Sequence, residues 1–265
     1  MEPVVFEIRD QSLVITLNNP KQRNCLSLKM MQQFKDIVKT QIKSECRFVF
    51  LEAQGEHFCA GADLEWMKKQ KDSSMLENYS DSLLLRSFFE TVYTIPVPVV
   101  AYVQGGVYGG GVGLVAACDY VIAEPSASFC LSEVKLGLVP AVISPYVISK
   151  IGMSWFSALS LTAQIMDSSF AINMGLIHHL AETALIQSNS QEKWKHFSQM
   201  FLALSPQALR ENKKMIRRLT DPFVLNEQVQ MNNRVTITKL RSSSEGVEGM
   251  SAILEKRSPS WSLKV

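Results

Sequence analysis

The chain has 265 residues, 46% of them hydrophobic and 20% charged, the balance of a globular protein with a sizeable core. Its formal net charge of +2 is too small to argue for a nucleic-acid partner. No stretch reaches the roughly 18 continuous apolar residues of a membrane span, and MEPVVFEIRD lacks the basic and apolar regions of a secretory signal.

VVFEIRD and SLVITLNN read as two short strands joined around Asp10–Gln11. NPKQRNCLS breaks that pattern. Ser27 then caps an amphipathic helix through Ile42, with Met30, Met31, Phe34, Ile37, Val38 and Ile42 on its apolar face. RFVFLEA is apolar up to Glu52, as a parallel strand buried on both faces should be. GEHFCAGAD is a loop that leads into a possible helix at ADLEWMKKQ. Tyr79 to Ile95 is helical, and VPVVAYVQ is the next buried strand. YGGGVGLVAACD follows as a glycine-rich turn and a short apolar helix, before the strands YVIAE and ASFCLSE. From about Ser144 the pattern is mostly helical, with IHHLAE as a late strand. Ser205–Pro206 opens one of the last helices, serine as cap and proline in the first turn.

Within that helix, RENKKMIRR puts Arg210, Lys213, Lys214, Arg217 and Arg218 on one face and Leu209, Ile216 and Leu219 on the other. A solvated basic face is expected, an anionic ligand or an RNA groove being the alternative. The strand–helix alternation predicts an α/β fold with mostly parallel pairing. Five cysteines, odd in number and without a CxxC pair, suit reduced thiols in a cytoplasmic compartment. The four histidines show no HxxxH or HExxH metal spacing.

Five of the 13 glycines fall between Gly105 and Gly111, and Gly113 adds a sixth. Gly111-Val-Gly113-Leu-Val-Ala116 satisfies GxGxxA, the mark of a dinucleotide-binding turn. That fingerprint needs a full helix before the next strand, yet YVIAE arrives a few residues after Gly113. Glycines that only permit tight packing are a second interpretation. A third explains more: glycines between a strand and a helix start bare backbone N–H groups that favour negative charge. One N–H rarely suffices for an oxyanion, and FCAGADL, Phe58 to Leu64, is the turn that could supply a second.

HFCAGADL, VQGGVYGGGVGLVAACD, LSEVKLGLVP and LTAQIMDSSFAINMGLI, in this order, resemble the enoyl-CoA hydratase/isomerase (crotonase) superfamily. The likeness runs from LNNPKQRNCLS to ILEKR, and its wording is most similar to bacterial hydratases of the 3-methylglutaconyl-CoA and isohexenylglutaconyl-CoA type. The resemblance implies a crotonase-like spiral of strand–strand–helix repeats, with residues 1–200 as catalytic core and 201–265 as a helical oligomerisation region. It further implies a homotrimer or a dimer of trimers. The substrate would be an acyl-CoA thioester, coenzyme A arriving as part of it, with no metal or redox cofactor.

By the same resemblance, the N–H groups of Ala62 and Gly110 would hold the thioester oxygen. The coenzyme would lie along Lys21 to Asn24 and Ala60 to Leu64, with Lys21, Arg23, Ala60, Asp63 and Leu64 as contacts. For Lys21 and Arg23, an ordinary exposed loop charge is an equal alternative. Glu133 matches the second of two family glutamates and would act as acid/base. The first is replaced by Gly113, which can neither accept a proton nor orient a water. The chain could then hydrate with Glu133 alone, shift a double bond, or bind acyl-CoA without turnover, with hydrolase or decarboxylase chemistry as remoter options. The missing side chain is also expected to leave room at Gly113 for a branched or carboxylated acyl group.

Overall fold

A computed structural model describes residues 2–63, 66–68, 73–224 and 226–261. The first strands, β1 (Val4–Arg9) and β2 (Ser12–Leu17), form an antiparallel hairpin. β2 then pairs in parallel with β3 (Val49–Ala53), β3 with β4 (Val99–Val103), β4 with β6 (Tyr120–Ala123) and β6 with β9 (His179–Leu180). A smaller sheet joins β5 (Gly106–Tyr108), β7 (Ser128–Cys130) and β8 (Met166–Asp167). The fold is mixed α/β, as expected.

The inner strands of the large sheet are mostly apolar because both of their faces are covered. Leu13, Ile15, Leu17, Val49, Leu51, Val99, Ala101 and Val103 face one core. It is closed by α1 (Leu28–Gln41), α2 (Met75–Tyr93), α3 (Gly110–Ala117) and α4 (Ser144–Thr162). The alternate residues Val14, Phe50, Val100, Tyr102 and Ile122 face a second core, against Trp194, Phe197 and Phe201 of α7 (Ser190–Leu202). Two short helices, α5 (Ser168–Asn173) and α6 (Thr183–Ile186), flank β9. Ser27 caps α1 as expected, its Oγ accepting from Met30 N at 3.2 Å.

The chain ends in α8 (Pro206–Val224), α9 (Glu227–Arg241) and α10 (Ser244–Leu254). Here one expectation is reversed. The basic face of α8 is turned inward at Arg210, Lys213 and Arg217, while Met215, Ile216 and Leu219 are exposed. The cause is Asp119, at the end of the glycine-rich segment. Its carboxylate accepts from Val99 N at 2.8 Å, Lys213 Nζ at 2.5 Å and Arg217 Nη2 at 2.9 Å. Lys213 also donates to Val97 O, and Arg210 to the carbonyls of Lys43, Ser44 and Cys46. Only Lys214 and Arg218 of the five stay in solvent. Internal acceptors, not an anionic ligand, use the other three.

Candidate active site

The site begins where two loops are laced together. Asn24 is buried at the end of NPKQRN, and its side chain donates to Gln54 O and His57 O while accepting from Asn19 N. This fixes the loop beside HFCAGAD. Leu26 then bridges Ala62 in parallel fashion, with Leu26 N donating to Gly61 O at 2.7 Å. Cys59 bridges Val107 of β5 in the same way. Gly61, at φ +85°, lets the strands close: a Cβ there would lie 2.6 Å from Tyr108 O.

Gly109, at φ +50°, turns the chain from β5 into α3 and donates its N–H to Cys130 O at 2.9 Å. The next amide is Gly110, the first residue of α3. A Cβ placed at Gly61 would lie 3.7 Å from Gly110 N, so the two turns meet at this point. Neither Ala62 N nor Gly110 N has a hydrogen-bond partner among the described residues. Two bare amides thus stand on adjacent turns, one of them opening a helix, the arrangement that stabilises charge developing on an oxygen.

Ala62 and Gly110 line a cavity of about 200 Å³. Its walls are mostly apolar and include Leu26, Phe89, Leu138, Val142, Ile143 and Ile237. Glu133 enters it from a short 3₁₀ turn, Glu133–Leu136, that α10 packs against. A Cβ at Gly109 would sit 3.3 Å from Glu133 Oε1, which places the carboxyl beside the glycine turn. Oε2 is inaccessible and has no partner among the described residues. Burial pushes the Glu133 carboxyl up to about 7, so near neutral pH it can both take and give a proton.

The other expected residues separate. Ala60 lines the cavity. Lys21 and Arg23 are exposed on the neighbouring loop, outside the cavity wall, although Arg23 O accepts from Ala60 N at 3.0 Å. Asp63 is buried, and its carboxylate caps a helical turn at residues 66–68 by accepting from Trp66 N; it also accepts from Cys25 Sγ. Leu64 lies outside the described residues.

Gly113 is corrected outright. A Cβ there would come within 2.3 Å of Ile143 Cγ2 and 3.2 Å of Phe89 Cε1. The space expected from the missing glutamate is filled by Ile143, so Gly113 widens nothing.

Most of the apolar wall was not foreseen, and three further residues bear on the site's chemistry. Ser132 precedes Glu133 on the wall, and Ile143 occupies the place opposite Gly113. The third is Arg241, from the last turn of α9. Only the serine, next to a candidate carboxylate in LSEVKLG, left a signal in the sequence.

The Enoyl-CoA hydratase/isomerase family model matches residues 7–264. The chain belongs to this family. It is 30% identical over 254 residues to the mitochondrial methylglutaconyl-CoA hydratase of Mus musculus, covering 94% of this chain and 79% of that one. It is 30% identical over 213 residues to the enoyl-CoA isomerase/hydratase fer4 of Mycosarcoma maydis, covering 76% and 75% of the two chains. The crystal structure of an enoyl-CoA hydratase from Shewanella pealeana superposes with a TM-score of 0.75 at 33% identity, over 98% of this chain and 96% of that one. The crotonase fold follows, in a family that acts on acyl-CoA thioesters.

Proposed function

We propose that this protein is an enoyl-CoA hydratase in which Glu133 is the sole acid/base carboxyl. The observation that carries this is the juxtaposition, in one apolar cavity, of a buried carboxyl and two amides that, among the described residues, have no partner at Oε2 or at the N–H groups. The thioester oxygen would accept from Ala62 N–H and Gly110 N–H. A water held between Glu133 and the Ser132 hydroxyl would lose a proton to Glu133 as its oxygen adds to the β-carbon. The electron pair moves to the thioester oxygen as an enolate, which the two amides stabilise. Glu133 then returns the proton to the α-carbon. One carboxyl suffices because the proton it accepts is the one it gives back. The methylglutaconyl-CoA hydratase likeness favours a branched or glutaconyl-type acyl group.

A second reading is double-bond isomerisation, favoured by the same lone carboxyl, since moving one proton between two carbons needs a single base. One experiment separates the two. Wild type and Glu133→Gln are incubated with crotonyl-CoA and methylglutaconyl-CoA, and the products are weighed by mass spectrometry. Hydration gives a product one water heavier, and the variant should lose about 10²–10⁴-fold in kcat. A product of unchanged mass with a shifted double bond would replace hydration by isomerisation. Full activity in the variant would remove Glu133 from either.

A further inference from the structure

The cavity holds two charged side chains of opposite sign that do not neutralise each other. One is Glu133. The other is Arg241, 6% exposed, whose Nε and Nη1 are inaccessible and have no partner among the described residues. Among the described residues no ion pair joins the two, and Glu133 Oε2 likewise has no hydrogen-bond partner there. Arg241 cannot be an accident of the helix surface. It stands one turn after Ile237 on α9, both line the cavity, and α9 is tied to the cavity wall by Asn233 Nδ2 donating to Ala141 O at 2.9 Å.

Among the described residues, an aromatic ring and one carboxylate lie near this guanidinium. The Trp66 ring lies 5.9 Å from it, and Trp66 Nε1 holds the carboxylate of Asp81 at 2.7 Å. Burial brings Arg241 down to about 10 in spite of the attraction of Asp81, which leaves it charged at neutral pH. An arginine side chain accepts nothing and donates through a planar fork that fits a carboxylate in two-point fashion. Leaving it buried without an anion is costly, whereas an anion arriving on a ligand would satisfy it.

We propose that Arg241 receives a carboxylate carried by the acyl chain, so that the preferred substrates are CoA monothioesters of unsaturated dicarboxylic acids. This rests on the acyl-CoA reading above and sharpens it. The thioester sits at Ala62 and Gly110, the double bond at Glu133, and the far end of the acyl group at Arg241. The apolar wall between accepts the carbons. Carboxylate selection therefore comes from a charge on α9, not from space at Gly113.

The test uses saturated esters, which bind without hydration. Glutaryl-CoA and pentanoyl-CoA are titrated calorimetrically against wild type, Arg241→Met and Arg241→Lys. Wild type should bind glutaryl-CoA at least about 30-fold more tightly, since a buried charge pair that loses one partner typically costs that much or more. Arg241→Met should abolish this preference while leaving pentanoyl-CoA within about threefold of wild type, and Arg241→Lys should keep part of it. Equal affinities in wild type would overturn the proposal even if crotonyl-CoA is hydrated through Glu133. An equal weakening of both esters by Arg241→Met would mean contact with the coenzyme instead, and would overturn it too. Binding of neither ester would remove the acyl-CoA reading itself. If Arg241→Met does not fold, the wild-type ratio and Arg241→Lys decide the matter.

Discussion

A methyl group at Gly113 is the smallest probe of how this site departs from a two-carboxylate design. It would press Ile143 Cγ2 at 2.3 Å and Ile143 Cβ at 2.7 Å, in a position buried between helix and cavity wall. Gly113→Ala should therefore cost about 1–3 kcal/mol of stability, the usual penalty for overpacking. Ile143→Ala in the same chain, which removes the Cγ2 that the methyl would meet, should return part of it, as read from urea midpoints in a double-mutant cycle. Additive effects would mean that Ile143 does not fill that space. Single residues also show what a sequence can carry. Ala62, Gly110 and Glu133 could be named because the segments that hold them resemble a family's motifs in order, and the fold brings all three to one cavity. Ile143 and Arg241 could not, because their roles come from pairings across the fold. TITKLRSSS looks like any amphipathic helix end, and nothing in it says that the arginine lines a cavity.

Among the elements, the inner strands of the large sheet were the most legible. Burial on both faces forces a continuous apolar run, so composition alone marks them. Helix α8 is the opposite case. Its period correctly grouped the basic residues, but periodicity says which residues share a face, not where the face points. Asp119 decided that, by offering Lys213 and Arg217 an internal carboxylate at 2.5 and 2.9 Å. The Arg217 guanidinium also stacks over the Tyr93 ring at 3.5 Å, which ties α8 to α2. Asp119→Asn keeps the shape but strips these cations of their counter-charge. It should lower stability by about 3–5 kcal/mol, as other broken buried pairs do, and the denaturant midpoint should fall accordingly. A solvated α8, the expectation from sequence, would show almost no change.

For the whole molecule, the cavity exists only because distant segments converge. Leu26 and Ala62 come from the laced loops, Phe89 from α2, Gly110 from α3, Glu133 from the 3₁₀ turn, and Ile237 and Arg241 from α9. The apolar wall has two consequences at once: it offers a place for acyl carbons, and it withholds water from Glu133. The second is what sets the carboxyl's titration. Its value is raised from an ordinary 4.5 to about 7, so the ionised form needed to take a proton from water is dominant only above that range. Hydration should therefore weaken as pH falls through neutrality, not through the usual carboxylate range. The most direct test of Glu133 as the sole acid/base is the pH dependence of kcat/KM for enoyl-CoA hydration, which reports the free enzyme's essential groups. The expected profile drops on the acid side with a midpoint near 7. A rate that holds steady from pH 8 down to about 5, where only an unperturbed carboxylate would still be ionised, would contradict it.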